Sequence, residues 1–389
     1  MSTATTSGID AVLERAVASG AVPSVCAIAA DRNGVVYEGA AGPRVAGEGD
    51  LVSIDTHYRI RSMTKMVTTA VALALMEQGK LDLDAPVQRY CPRFAELQVL
   101  DGFDGDQPRL RPPASQATVK QLVTHTAGLA YWFWNAEIVK WEAASGVPNV
   151  QSGSKEIFKA PLIADPGTTF EYGINIDWLG QVIEAASGLK LDEAIERWVT
   201  GPLGMDQTAF RMTDAQRVNS TPVHLLGEDG TWAATGLDLA QDPEYWSGGH
   251  GLYSTPRDYL KFQRALLGDG TSPDGVKILE PRTVEAAFTN QIGDLEFPAE
   301  ITTADPGASN TFAIGPGFKW GYGLLLNTQD IPGRRRAGSG AWAGMLNTHF
   351  WVDRTTGITA AIYSQFLPFV TGPALALYED FETALYAAL

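Results

Sequence analysis

Hydrophobic and polar positions follow regular patterns at the two ends of the chain. Near the N-terminus, apolar residues recur at helical spacing or alternate as in strands, with an Asn33-Gly34 turn between two of the strands. The predicted elements there are a helix at 9–19, strands at 24–31 and 35–41, an extended segment at 51–60 and a helix from Met63 to about Gly79.

The C-terminal part repeats this mixture, whereas the middle of the chain differs. Helical patterns are predicted at 256–267 and 373–388, with alternating, aromatic-rich segments at 319–326, 347–353 and 357–364. In the middle, proline and glycine interrupt short helical patterns at 117–124, 176–187 and 191–199. We therefore expect an α/β subdomain built from residues 1–91 and 246–389, with an inserted, mainly helical subdomain at 92–245 and a cleft between them.

Ser62 and Lys65 lie three residues apart where the extended segment gives way to a helix. A serine at this point is close to the positive end of the helix dipole, and a lysine at i+3 lies on the same face. Such a pair can perform nucleophilic catalysis without histidine. The alternative is an ordinary N-cap serine. The same spacing recurs at 152–155 and 187–190, but there it falls in a Gly/Ser-rich loop and at a helix end.

Tyr172 is a candidate second proton carrier. An ordinary lysine, with a pKa of about 10.4, is almost fully protonated at neutral pH, and a tyrosine has a similar pKa near 10. Tyr172 follows the turn-forming Pro166-Gly167 and precedes a helix, so a tight turn could present its hydroxyl to a cleft. The alternative is that Tyr172 only packs against Phe170 and Trp178.

The glycine-rich segment 338–344 is a candidate source of an oxyanion-binding N–H group. Small residues surround Trp342, as is typical where a backbone approaches another group closely. An edge strand there could donate an N–H beside that of Ser62. A glycine-rich loop with one buried tryptophan is the alternative.

Composition narrows the possible partners. The formal charge of the 389-residue chain is −16, which disfavours nucleic acid and anionic membranes as partners. We find no apolar run long enough to span a bilayer and no signal-peptide pattern at the N-terminus, and therefore expect a cytoplasmic protein. The five histidines and the two cysteines, Cys26 and Cys91, lack metal-ligand spacing, so no cofactor is expected. Cys26 is expected in the core.

Five segments taken in order resemble the serine β-lactamase-like superfamily, with the closest similarity to its class C branch and to family VIII carboxylesterases. They are Arg59 to Lys65, Leu122 to Leu129, Pro166 to Tyr172, Ser247 to Ser254, and Lys319 to Gly323. The resemblance covers most of the chain. It implies an antiparallel sheet flanked by helices, as in penicillin-binding proteins.

By this resemblance Ser62 is the acylated nucleophile, Lys65 accepts its proton, and Tyr172 is the general base. Ser62 and Met345 would donate the oxyanion-hole N–H groups, and His125 would support the fold. The residues expected to contact substrate are Trp342, Ala343, Gly344, Tyr131, Trp132 and Trp134, although the aromatic ones among 131–134 could equally be core or lid residues.

Two departures from penicillin-recognising enzymes bear on the substrate. Ile174 stands where those enzymes carry an asparagine, with Asn175 one place late, and Trp342 replaces the lysine of their Lys-Thr-Gly strand. Both changes remove polar groups suited to an anionic, amide-bearing substrate. We therefore predict a carboxylesterase for small, neutral, short-acyl esters. The alternatives are an acyltransferase of the same fold, a β-lactamase or D-peptidase with weak activity, and a non-enzymatic penicillin-binding-like module.

Overall fold

The structure, a computed structural model, describes residues 3–389. Its α-helices in this range are α1 (Thr3–Ala18), α2 (Thr64–Glu77), α3 (Val119–Val123), α4 (Ala136–Ser145), α5 (Asn175–Ser187), α6 (Leu191–Ile195), α7 (Asp214–Val218), α8 (Pro256–Leu267), α9 (Pro281–Ala287) and α10 (Gly372–Ala387). None of the described helices is both long and apolar enough to cross a lipid bilayer.

Sixteen strands accompany these helices in the described residues. They are β1 (Val25–Asp31), β2 (Val35–Ala41), β3 (Tyr58–Arg59), β4 (Val99–Asp104), β5 (Gln107–Arg111), β6 (His224–Leu226), β7 (Trp232–Ala234), β8 (Tyr253–Ser254), β9 (Glu300–Ile301), β10 (Phe312–Ala313), β11 (Phe318–Trp320), β12 (Leu325–Asn327), β13 (Gly340–Gly344), β14 (Thr348–Asp353), β15 (Ile358–Tyr363) and β16 (Phe366–Leu367).

The largest sheet joins the two ends of the chain. Its strand order is β11-β12-β13-β14-β15-β1-β2, and every neighbouring pair is antiparallel. Cys26 lies opposite Tyr363 in the β1–β15 pair. The prediction of an antiparallel sheet flanked by helices is therefore confirmed.

Side chains of β1 alternate between two hydrophobic cores, because successive residues of a strand point to opposite faces. Cys26, Ile28 and Ala30 face the core that contains α2 and α8. The intervening alanines face a second core, in which residues of α1 and α10 pack on the other side of the sheet. Cys26 is a free, fully buried thiol, as expected, and Cys91 is also free and buried. The two subdomain boundaries stay a prediction.

Three sequence-based expectations need correction. The segment 51–60 is not one extended strand, because Ser53 and Thr56 close a turn and only Tyr58–Arg59 forms a β-strand, with isolated bridges at Leu51 and His57. The segment 319–326 is a hairpin, β11–β12, rather than a single strand. The strand at the glycine-rich segment, β13, lies inside the sheet. However, β12 pairs with it only at Gly340 and Ala341, so its second half has β14 on one side alone.

Candidate active site

Ser62 lies in a tight turn between β3 and α2. Residues Arg61–Met63 form a 3₁₀ turn, and α2 begins at Thr64, so the serine precedes the α-helix instead of standing in its first turn as expected. Arg61 has a φ of +47°, in the left-handed region that non-glycine residues rarely adopt. This sharp change of direction leaves the Ser62 side chain at the junction of two cavities.

Lys65 is fully buried one turn after Ser62. Its Nζ lies 3.1 Å from Ser62 Oγ and 3.1 Å from Tyr131 Oη, and it donates to the Gly249 carbonyl at 2.8 Å. Burial lowers the pKa of Lys65 to about 7, and the nearby Asp177 opposes that shift only in part. A substantial fraction of the amine is therefore neutral at physiological pH and able to accept a proton from the serine.

Tyr131 and Gly249 hold the Lys65 amine in place, and Asp177 fixes both of them. Tyr131 Oη donates to Asp177 Oδ2 at 3.1 Å, and Ser247 Oγ donates to Asp177 Oδ1 at 2.5 Å. A Cβ on Gly249 would lie 2.5 Å from the Asp177 carboxylate and 2.7 Å from Tyr131 Oη, so only glycine fits there. Lys65 Nζ is thus held at Ser62 by two further partners, Tyr131 and Gly249, both of which are bonded to Asp177.

Tyr172 lies on the other side of the Ser62–Lys65 pair. Trp342 Nε1 donates to Tyr172 Oη at 3.0 Å, and the Tyr172 ring lies 4.6 Å from Lys65 Nζ. Burial raises the pKa of Tyr172 above its ordinary value, although hydrogen bonds with Ser62 and Trp342 oppose the shift. The phenol is accordingly neutral over the physiological range, which suits a proton relay better than an anionic base.

Asn175 and His125 pack next to Tyr172 and support its position. Asn175 Nδ2 lies 3.0 Å from His125 Nδ1 and donates to the Leu129 carbonyl at 3.1 Å, so the asparagine is turned away from Ser62. The His125 ring lies 4.8 Å from that of Tyr172. Burial lowers the pKa of His125 well below its ordinary value, which keeps the ring neutral.

The end of β13 approaches the Ser62 turn closely. A Cβ on Gly344 would lie 2.3 Å from the Ile60 carbonyl oxygen, so the two backbones touch and glycine is required. Gly344 itself lines neither cavity, whereas Met345, the next residue, lines both of them together with Ser62. The structure thus brings together the two residues predicted to form the oxyanion hole.

Two cavities meet at Ser62. The larger has a volume of about 230 Å³ and is lined mainly by apolar side chains, including those of the predicted residues Trp134, Trp342 and Ala343. The smaller has a volume of about 20 Å³ and is bounded by Tyr131 and Trp132. Ring nitrogens of the two tryptophans are anchored, with Trp132 Nε1 donating to Asp305 at 3.2 Å and Trp134 Nε1 to Ser309 at 3.1 Å.

Sequence reasoning missed three residues of this site: Arg61, Asp177 and Gly249. Asp177 is five residues after Tyr172 in α5, and Gly249 belongs to the glycine pair that carried part of the family resemblance. Tyr131 was expected only as an apolar wall, yet its hydroxyl contacts Lys65. In the described part of the chain, no group of three or more His, Cys, Asp or Glu side chains could hold a metal ion.

Comparison with known proteins identifies the family of this chain. Residues 9–385 match the family model described as Beta-lactamase. A lovastatin esterase from Penicillium rubens is 30% identical, over 97% of this chain and 98% of its own length. The monacolin J acid methylbutanoyltransferase of Aspergillus terreus is 29% identical, over 97% and 95%.

Solved structures show the same fold. A mutant of simvastatin synthase from Aspergillus terreus superposes with a TM-score of 0.84 and 27% identity, covering 100% of this chain and 98% of its own. EstCE1, a hydrolase with promiscuous acyltransferase activity, has a TM-score of 0.80 at 22% identity, covering 98% of both chains. The relatives named above are an esterase and an acyltransferase, which supports an enzyme that acts on esters. This chain belongs to the Beta-lactamase family, within the serine β-lactamase-like superfamily.

Proposed function

We propose that this protein is a carboxylesterase that hydrolyses small, neutral, short-acyl esters through an acyl-serine intermediate. The observation that carries this proposal is the buried Lys65 amine, 3.1 Å from Ser62 Oγ, with a pKa lowered to about 7. A neutral amine at this distance can activate a hydroxyl that is otherwise a weak nucleophile.

In the first half of the reaction, Ser62 Oγ attacks the ester carbonyl carbon while its proton passes to Lys65 Nζ. The negative charge that develops on the carbonyl oxygen is stabilised by the backbone N–H groups of Ser62 and Met345. When the C–O bond breaks, the leaving alkoxide takes a proton from the Lys65–Tyr172 pair. Water then attacks the acyl-serine in the same way and releases the acid.

This assignment changes the role expected for Tyr172. Its pKa is raised by burial, whereas that of Lys65 is lowered to about 7, so the lysine is the better general base. Tyr172 would act as a neutral relay, with the Trp342 indole N–H fixing its hydroxyl.

The larger cavity is lined mainly by apolar side chains, which favours an uncharged acyl or alcohol group as its ligand. Trp342, which replaces the lysine expected in penicillin-recognising enzymes, lies with Trp134 and Phe312 along its wall. An acyltransferase is the second candidate. The Aspergillus relative is named as a methylbutanoyltransferase, and the similarity to it covers 95% of its length. In that reaction an alcohol would replace water in the second half.

The test is hydrolysis of p-nitrophenyl acetate, butyrate and octanoate by wild type and by Ser62→Ala, with nitrocefin alongside. We expect butyrate turnover in the wild type, none in Ser62→Ala, and little nitrocefin turnover. Lys65→Ala and Tyr172→Phe should each lower kcat/KM by about 10²–10⁴-fold. Activity retained by Ser62→Ala would refute the assignment. Faster ester formation than hydrolysis with an added alcohol would favour the acyltransferase.

A non-enzymatic binding module predicts a different result. The reagent is a fluorophosphonate probe, which reacts only with an activated serine. Labelling of the folded wild type, but not of Ser62→Ala, supports the enzyme. Absence of labelling would favour the binding module.

A further inference from the structure

Arg61, the residue before Ser62, has a buried guanidinium without a protein acceptor. The residue is 4% exposed, and its Nε and Nη1 atoms have no hydrogen-bond partner. Within residues 3–389, no carboxylate lies within the 4.0 Å that defines an ion pair with this side chain. Its backbone is also held at a φ of +47°. A buried charge without a bonded partner and a non-glycine residue at positive φ both cost stability.

Other buried arginines of this chain are paired. Arg59 Nε lies 2.7 Å from Asp238, and Arg335 Nε lies 3.3 Å from the fully buried Glu382. An unpaired charge is destabilising in a protein interior because it loses its hydration without a compensating partner. Burial lowers the pKa of Arg61 to about 10, which leaves the guanidinium protonated at neutral pH. Arg61 is therefore a buried cation without a paired counter-charge, because Asp238, the carboxylate that acts on it at longer range, is bonded to Arg59.

The position of Arg61 identifies where a counter-charge would bind. The small cavity beside Ser62 is lined by Arg61, Gln151, His250 and Met345, among others, and none of its lining residues is acidic. His250 Nδ1 lies 2.7 Å from Ser247 Oγ. Burial, together with the charges of Arg61 and Lys65, lowers the pKa of His250 well below its ordinary value, so that ring is neutral. The cavity thus has one positive charge and shares the nucleophile with the larger, apolar cavity.

We propose that Arg61 binds a carboxylate carried by one half of the ester, while the other half occupies the larger cavity. A guanidinium and a carboxylate match in shape and charge, and hydrogen bonds between charged groups are stronger than neutral ones. The cavity volume of about 20 Å³ suits a group of a few atoms. This inference rests on the proposed function and widens its substrate class from neutral esters to esters with a carboxylate close to the scissile bond.

Two matched pairs of esters test the proposal and distinguish the two halves of the substrate. For the alcohol half, the pair is m-carboxyphenyl butyrate and m-carbamoylphenyl butyrate. For the acyl half, it is the p-nitrophenyl monoester of adipic acid and the same ester of adipic acid monoamide. Acid and amide have nearly the same shape, and a change in the ratio of their kcat/KM values between two variants cancels their different intrinsic reactivity and reports the contact with the charge.

In the wild type we expect the acid to be preferred in at least one pair. Arg61→Met should lower that ratio by about tenfold or more, as expected for the loss of a hydrogen bond between charged groups. Arg61→Lys should retain part of it. The matched control is Arg257→Met, because Arg257 lines neither of the two cavities at Ser62 and is paired with Asp55 at 2.8 Å. Its ratio should equal that of the wild type.

The proposal is overturned if neither acid is preferred, or if the ratio is the same in Arg61→Met and wild type. Fluorophosphonate labelling of every variant separates this failure from that of the proposed function. If the wild type is labelled by the fluorophosphonate but does not prefer the acid over the amide, only the role of Arg61 is refuted. If the wild type is not labelled, the esterase assignment itself is refuted. Should Arg61→Met not fold, wild-type inhibition decides: benzoate must inhibit more strongly than benzamide, and equal inhibition overturns the proposal.

Discussion

The protonation state of a single residue, Lys65, controls the proposed chemistry. Its environment combines full burial, which disfavours the charged amine, with the Asp177 carboxylate, which favours it. The balance leaves a pKa of about 7. Because only the neutral amine accepts the Ser62 proton, activity depends on how this balance is set.

We predict that kcat/KM for p-nitrophenyl butyrate rises with pH between 5 and 9, since deprotonated Lys65 accumulates above its pKa of about 7. Asp177→Asn removes the charge that raises the lysine pKa, so the midpoint of the profile should move to lower pH. Ser247→Ala is the control, because it keeps the carboxylate and removes only one hydrogen bond to it. A midpoint that moves to higher pH in Asp177→Asn would contradict this account.

At the scale of elements, contact between β13 and the Ser62 turn fixes the geometry of the site. Gly344 lies against the Ile60 carbonyl, and Thr348 Oγ1 on the next strand donates to the same oxygen at 3.4 Å. The last residues of β13 can make this approach because β12 does not pair with them. The strand end therefore aligns Trp342 and Met345 with the serine.

Gly344→Ala should lower kcat/KM for p-nitrophenyl butyrate and reduce the free energy of unfolding by about 1–3 kcal/mol, since its Cβ would overlap the Ile60 backbone. Gly236→Ala is the matched control, because a Cβ there meets nothing within 4 Å. Urea denaturation and steady-state kinetics measure both effects. Equal behaviour of the two variants would show that this contact does not position the site.

Helices and strands were predictable where the local sequence pattern determines them. They were less predictable where contacts absent from that pattern determine them. The apolar spacing of α8 indicated residues 256–267, which are its observed bounds, and the Asn33-Gly34 turn correctly separated β1 from β2. The prediction for 51–60 was wrong because apolar and polar residues go on alternating through a turn. Side-chain and backbone hydrogen bonds between Ser53 and Thr56 close that turn.

Residues of the active site were likewise predictable from local patterns but not from contacts between distant positions. The strand-to-helix setting of Ser62 and the position of Tyr172 were visible in the sequence. Asp177 and Gly249 were not, because their contacts with Lys65 and Tyr131 join positions more than forty residues apart. The unpaired state of Arg61 likewise depends on every neighbour that folding brings to it.

At the scale of the whole molecule, the sheet separates two hydrophobic cores with different tasks. One contains α2 and borders the two cavities at Ser62, and the other joins α1 and α10 on the opposite face. Phe381 of α10 is fully buried there, 5.8 Å from the Trp351 ring and 6.1 Å from Tyr37. This second core stabilises the sheet without contributing a catalytic group.

Phe381→Ala should lower the free energy of unfolding by about 3–5 kcal/mol, as is typical of a large side chain removed from a core. The kcat/KM of the protein that remains folded should stay near the wild-type value. Leu226→Ala, at a half-exposed position, is the control and should change stability by about 0.5 kcal/mol or less. A large fall in kcat/KM in fully folded Phe381→Ala would show that the two cores are coupled.

Pairing of β1 with β15 has a consequence for how the chain acquires its activity. Partners in this pair, such as Cys26 and Tyr363, are separated by more than three hundred residues, and closing so long a loop slows folding. During synthesis, Ser62 and Lys65 leave the ribosome long before Trp342 and Met345 exist. The enzyme should therefore be inert until Trp342 and Met345 have been synthesised, and until β15 follows them β1 offers an unpaired edge to other chains.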